Sequence, residues 1–159
     1  LTGHLVFSPL HTNDAPSTIT RLQNMGTPDY LISAACQMVL AQRLARRSCK
    51  DCRVPDDDVT PKVLQDLGFS PEQASRVKAL KGKGCPKCKD SGYKGRQGIY
   101  EILVVSKPVK EAILRKATTP ELREIAIKEG FQTMQDMGRR LIANGELNFR
   151  EYERVLSAS

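Results

Sequence analysis

Tryptophan is absent from this chain, aromatic residues make up only 5% of it, and its 159 residues include just two histidines. The shortage of aromatics removes the stacking platforms on which single-stranded nucleic acid is usually held. No uninterrupted apolar run comes near the ~20 residues that a membrane-crossing helix needs, so no transmembrane helix is expected. Nor does the sequence open on a basic and then apolar leader. A reducing cytoplasm is therefore the expected setting. Internal repeats and low-complexity segments are also missing.

Cysteine is what the chain has in pattern. Of five cysteines, four form two C-x-x-C pairs, Cys49/Cys52 and Cys85/Cys88. Two such pairs brought together supply four thiolates in a tetrahedron, the donor set of structural zinc. The pairs are separated by 32 residues, so a metal would close a sizeable loop rather than knit one compact finger. Two disulfides and a rubredoxin-like iron centre use the same cysteines and stay open on spacing alone. A redox dithiol fits less well, because neither pair starts a helix beside a βαβ unit. Cys36 lies in the apolar stretch 31–40 and reads as a small buried thiol outside the cluster.

The formal net charge is +7. Residues 1–48 carry four basic and two acidic side chains, 49–100 carry eleven and seven, and 101–159 carry ten and nine. Most of the excess therefore lies beside the cysteines. Lys50, Lys81, Lys83, Lys87 and Lys89 are placed to favour thiolate over thiol. A polyanion-binding surface follows only weakly, since part of this charge offsets a tetrathiolate complex.

Residues 4–8 (HLVFS) and 98–105 (GIYEILVV) have the composition of buried strands. Asn13 or Asp14, with Pro16, predicts a helix ending near Gly26. Leu31, Ala34, Ala35, Met38, Ala41 and Ala45 recur at helical spacing and predict a second helix over 30–46. Between the cysteine pairs, 61–67 reads as a helix closed by Gly68. Ser70 and Gln73 form a capping box for another, running to Leu80. Asp56, Asp57 and Asp58 read as an exposed loop. The last third reads as four helices: from Ser106 and Pro108; from Thr119 and Pro120 to Gly130; over 133–144, weakened by Gly138; and after an Asn148/Glu151 capping box.

Several runs resemble one family in the same order: LTGHLVFSPLHTND at 1–14, TRLQNMG at 20–26, AQRLARR at 41–47 leading into Cys49, and GYKGRQGIYE at 92–101 after the second cysteine pair. The chain resembles the type II secretion system protein E family and its relatives, the type IV pilus-extension ATPases. That resemblance implies an α/β fold: the C-terminal portion of a RecA-like P-loop NTPase core, with an inserted zinc-binding tetracysteine subdomain and a C-terminal helical bundle. On it, 1–48 is the end of the ATPase core with its histidine box, 49–97 the zinc subdomain, and 98–159 a remaining core strand and the helical part. No G-x-x-x-x-G-K-[ST] occurs, since the Gly-Lys of 81–84 lacks the spacing. The family's ATP- and Mg²⁺-binding lysine and acidic residues are then expected upstream.

The resemblance places His4 and His11 at the family's two histidine-box positions. A residue just past a strand end sits where α/β folds bind nucleotides, and an imidazole can donate to a phosphate oxygen. On the residues alone, two histidines flanking a strand are more often surface or turn groups than catalytic ones. Gln42 and Arg43 match a Gln-Arg-Leu element that the resemblance puts near nucleotide, with an exposed surface as the equal alternative. Pro9 departs from the family's usual threonine and removes a backbone donor. The implied partners are further copies in a homo-hexamer and an inner-membrane platform protein, with no specific nucleic acid. The implied location is cytoplasmic and peripheral to that membrane. The rival from another class is a zinc-stabilised nucleic-acid-binding module.

Overall fold

Caps and prolines set most of the helices where the sequence puts them. In the computed structural model, which describes residues 3–157, Asp14 accepts the Ser17 amide at 2.7 Å and opens α1 (Ala15–Asn24). Leu1 and Thr2 of the opening motif lie outside the described residues. The remaining elements in order are α2 (Asp29–Ala35), β1 (Met38–Ser48), β2 (Arg53–Pro55), α3 (Pro61–Asp66), α4 (Pro71–Arg76), β3 (Leu80–Gly82), β4 (Tyr93–Val104), α5 (Lys107–Leu114), α6 (Thr119–Lys128), α7 (Met134–Ala143) and α8 (Phe149–Leu156). The Ser70/Gln73 capping box is present, and Thr118 rather than Thr119 caps α6, with Glu121 completing its box.

The helix expected over 30–46 is wrong beyond Ala35. Cys36 leaves the helical region at ψ 119, and 38–48 is a strand. Ala41 and Ala45 are buried on either reading, because a four-residue spacing satisfies both the helical period and twice the strand period. Val39, Ala41 and Ala45 alternate with exposed Leu40 and Leu44, and this period of two decides the matter. The ladder partner is β4, which is of nearly equal length. Val105 N–H donates to Gln37 O at 2.9 Å and Cys49 N–H to Gly92 O at 2.9 Å, so the strands run antiparallel.

The strand expected at 4–8 is also not formed. Residues 3–12 are irregular, with Leu5, Val6 and Phe7 each at least 75% exposed, and no described segment pairs with them. Strand-forming composition without a ladder partner leaves the backbone to water. The helix expected to reach Leu80 stops at Arg76, and 80–82 pairs instead with 53–55 as a short antiparallel ribbon. Asp56 is buried rather than looped out, and accepts Lys81 Nζ at 2.7 Å.

The chain divides into two compact units. One comprises 1–42 and 100–133 and packs α1, α2, α5 and α6 around Ile19, Ile32, Leu103, Val109, Ile113 and Leu122. Its ends of β1 and β4 present an exposed apolar face of Met38, Leu40, Tyr100, Ile102 and Val104. The other comprises 43–99 and 134–159, with Leu64, Ile99, Met134, Ile142, Leu147 and Leu156 buried. Gly138 is required there by close approach. A Cβ on it would stand 2.5 Å from Leu156 Cδ1 and 2.7 Å from Tyr152 Cε2.

The second unit is also organised by a buried carboxylate. Asn148 caps α8 through the Glu151 amide, yet the capping box expected there is only half made. The Glu151 side chain, fully buried, turns instead to β1. It accepts Arg46 N–H at 2.8 Å, the Arg46 guanidinium at 2.7 and 3.0 Å, and the Arg154 guanidinium. Arg46 also lies over the Tyr93 ring, 4.1 Å from its centroid, and Tyr93 Oη accepts Asn148 Nδ2 at 2.9 Å. Burial alone would raise the Glu151 pKa, but the bonds from Arg154 and Arg46 outweigh it and hold the group down to about 2.

A depressed carboxylate stabilises the fold above its unfolded pKa of 4.5 and loses that contribution as pH falls toward about 2. Both guanidiniums are half exposed, so solvent screening limits the contribution to about 1–3 kcal/mol. Urea titrations of wild type and Glu151→Gln should differ by that amount at pH 6, and the difference should close near pH 2–3. Gly138→Ala gains about 1 kcal/mol of helix propensity and loses about 1–3 to overpacking. The net expectation is a lower melting temperature.

Candidate metal centre

The two cysteine knuckles are brought together by short elements on either side of them. Cys49 follows β1 directly, and a single 3₁₀ turn (Lys50–Cys52) leads to β2; a second turn (Pro86–Cys88) follows Cys85. The β2–β3 ribbon holds the far ends of both segments, and Lys83 N–H donates to Cys52 O at 3.0 Å. Gly82 and Gly92 pack backbone against backbone. A Cβ on either would fall within 2.4 Å of the other's carbonyl oxygen, so only glycine fits both positions.

The four Sγ atoms of Cys49, Cys52, Cys85 and Cys88 lie within 4.8 Å of one another. Cys49–Cys85 and Cys52–Cys88 are each 3.9 Å apart, and Cys85–Cys88 are 3.7 Å apart. A regular tetrahedron with metal–sulfur bonds of ~2.3 Å has edges of ~3.8 Å, which is this spacing. All five cysteines are free thiols, so the disulfide reading falls. Cys36 stands outside the cluster, its pKa raised mainly by burial.

The surroundings act oppositely on two of the sulfurs, favouring thiolate at Cys88 and thiol at Cys52. Burial pushes Cys52 up to about 12, against one backbone N–H from Gly84. At Cys88 burial acts in the same direction. It is outweighed there by the amides of Cys85 at 3.2 Å and Gly92 at 3.3 Å, together with the neighbouring thiols, which bring it down to about 6. A cation at the centre would favour the thiolate form of all four. The lysines contribute less uniformly than expected. Lys87 is paired with Asp51 at 2.7 Å and Lys81 with Asp56, while Lys50, Lys83 and Lys89 remain exposed around the knuckles.

The other candidate residues are not gathered into this cluster. His4 is exposed in the irregular 3–12 segment, and His11 is exposed three residues before the Asp14 cap. Gln42 and Arg43 lie on strand β1 rather than on a helix. Gln42 is exposed, and Arg43 Nη1 donates to Val155 O at 2.7 Å in the last turn of α8. Sequence reasoning missed the roles of the buried carboxylates Glu101 and Glu151, the second of which it read only as half of a capping box. The signal available for Glu101 was an acidic residue inside the apolar run GIYEILVV.

Comparison with known proteins places this geometry in a family. The model described as Type II/IV secretion system protein matches residues 1–154, and the chain belongs to that family. The type IV pilus assembly ATPase PilB of Myxococcus xanthus is 40% identical over 151 residues, which is 95% of this chain and 27% of that protein. PilB of Thermus thermophilus is 45% identical over 141 residues, covering 87% and 15% respectively. The type II secretion system ATPase E of Vibrio cholerae is 37% identical over 153 residues, covering 87% and 30%. The chain thus spans less than a third of the length of each of these relatives. Among the described residues no helix is long and apolar enough to cross a membrane.

Zinc bound by the four cysteines would contribute on the order of 10 kcal/mol of apparent folding energy. Elemental analysis should find one zinc per chain, and chelation should lower the melting temperature sharply. Cys52→Ser or Cys88→Ser should lose the metal, whereas Cys36→Ala should keep it. A coloured, iron-containing preparation would assign the site to the other tetrathiolate metal.

Proposed function

We propose that this chain is the C-terminal part of a hexameric ATPase that powers type IV pilus assembly or type II protein secretion. The observation that carries the reading is identity of 37–45% to ATPases of those two machines over 87% or more of the chain. In this proposal 1–48 closes a RecA-like core, 49–97 is a subdomain fixed by structural zinc, and 98–159 supplies a further core strand and helical bundle. ATP and Mg²⁺ are bound mainly by residues outside this sequence. Subunit motion passes to an inner-membrane platform protein from the cytoplasmic side.

Two features support it. The exposed apolar residues Leu5, Val6 and Phe7, and the apolar face of β1 and β4 in the same unit, are side chains of the kind that a packing partner covers. On this reading they pack against the remainder of the ATPase core. His11 stands exposed beside the start of α1, where an imidazole can reach a phosphate oxygen held by a neighbouring segment. Its proposed role is to stabilise charge on the transferring phosphoryl group, with His4 assisting. Gln42 belongs to the nucleotide side only in this proposal. Arg43, whose guanidinium also holds α8, is assigned there on the same basis.

His11→Ala in the intact ATPase should lower kcat about 100-fold while leaving the ATP dissociation constant nearly unchanged, because loss of a preorganised donor acts on the transition state. Unchanged kcat in a correctly assembled hexamer would return His11 to a structural role. The present chain alone should hydrolyse no ATP. Strong, salt-sensitive binding of mixed-sequence DNA or RNA by it would favour the nucleic-acid module instead.

A further inference from the structure

We infer that Glu101 is a positioning residue for His11, an inference that rests on the reading of His11 given above. Glu101 lies in β4 with its side chain buried, and its Oε1 accepts the backbone N–H of Ala15 at 2.6 Å across 86 residues of sequence. Ala15 is the first residue of α1, so this amide is one of the four that a helix start leaves without an intrahelical partner. Asp14 already satisfies the Ser17 amide. Two carboxylates therefore meet the positive end of α1, where the helix dipole favours them.

The contacts of 12–15 form a graded set of anchors. Thr12 Oγ1 and Thr18 Oγ1 are 2.7 Å apart, which ties the approach to the helix it enters. The second oxygen of Asp14 accepts Arg123 of α6 at 2.7 Å, in a pair that is partly exposed and therefore screened. The bond from Ala15 to Glu101 is the buried one, and it comes from a strand rather than from α1 itself. It fixes where the helix begins relative to the β1–β4 end of this unit. His11 immediately precedes the anchored stretch. His4 lies seven residues earlier, in the run that exposes Leu5, Val6 and Phe7. A displacement of ~1 Å in a reacting group can cost up to ~100-fold in rate, so an anchor of this kind sets turnover without touching nucleotide.

Four variants of the intact ATPase test this: Glu101→Ala, Glu101→Gln, Glu101→Asp, and Glu101→Ala combined with His11→Ala. The measurements are kcat, the ATP dissociation constant, hexamer assembly, and hydrogen exchange over 10–15. Glu101→Ala should lower kcat about tenfold or more with the dissociation constant within about twofold, and should speed exchange at the Ala15 amide. Glu101→Gln keeps an acceptor oxygen at the same reach and should restore most of the rate. Glu101→Asp keeps the charge but is one methylene too short, and should not.

In the His11→Ala background, Glu101→Ala should add little further loss, because the two act through one group. An equal loss in both backgrounds, or aspartate outperforming glutamine, would overturn the inference in favour of a general structural role. Full kcat in Glu101→Ala alongside a slow His11→Ala would overturn it alone. Full kcat in His11→Ala would overturn the His11 reading and this inference with it. If Glu101→Ala does not assemble, the order of glutamine and aspartate decides.

Discussion

Four thiols occupy a volume less than 5 Å across only when the backbone on both sides is held to the same precision, and residues 43–99 are built around that constraint. Two 3₁₀ turns present the sulfurs, and the β2–β3 ribbon brings the far ends of the loop back into register. Gly82 and Gly92 let two backbone segments touch where no side chain fits. The Cys85 and Gly92 amides point at Cys88 Sγ, so the fold lowers the cost of thiolate at that sulfur. The convergence matches the size of a tetrathiolate metal complex and not that of two disulfides.

The buried carboxylates obey a related rule with different donors. A buried charge persists when hydrogen bonds replace its lost water, and backbone amides are the cheapest donors because they are already in place. Glu151 combines the Arg46 amide with two guanidiniums and joins α8 to β1. Glu101 takes the first amide of α1 and joins it to β4. Each lies in a different unit, and each reaches across roughly a hundred residues of sequence. The chain thus uses acidic side chains as well as apolar packing to fix element against element.

Where the sequence was readable, the reason is local chemistry. Asp14, Ser70 and Asn148 announce helix starts because a short polar side chain reaches an amide three residues on, whatever else the protein does. The C-x-x-C pairs announce a metal-sized cluster because the spacing itself presents two sulfurs on one turn. Residues 38–46 were misread because alanines four apart suit a helix and a strand equally, and only the pairing with β4 decided between them. Residues 4–8 have a strand's composition but no partner among the described residues. Asp56 was misplaced because its lysine partner lies 25 residues away.

By itself, then, the sequence determined the donor set of the metal centre, the helix starts, and membership of the type II/IV secretion system family, because each rests on residues close together or on runs in a fixed order. Only tertiary structure decided that β1 is a strand, that Glu151 abandons its cap for Arg46, and that Glu101 holds the start of α1 beside His11. Those outcomes turn on which distant group fills an unsatisfied amide or accompanies a buried charge. That choice is made by packing, and no local spacing encodes it.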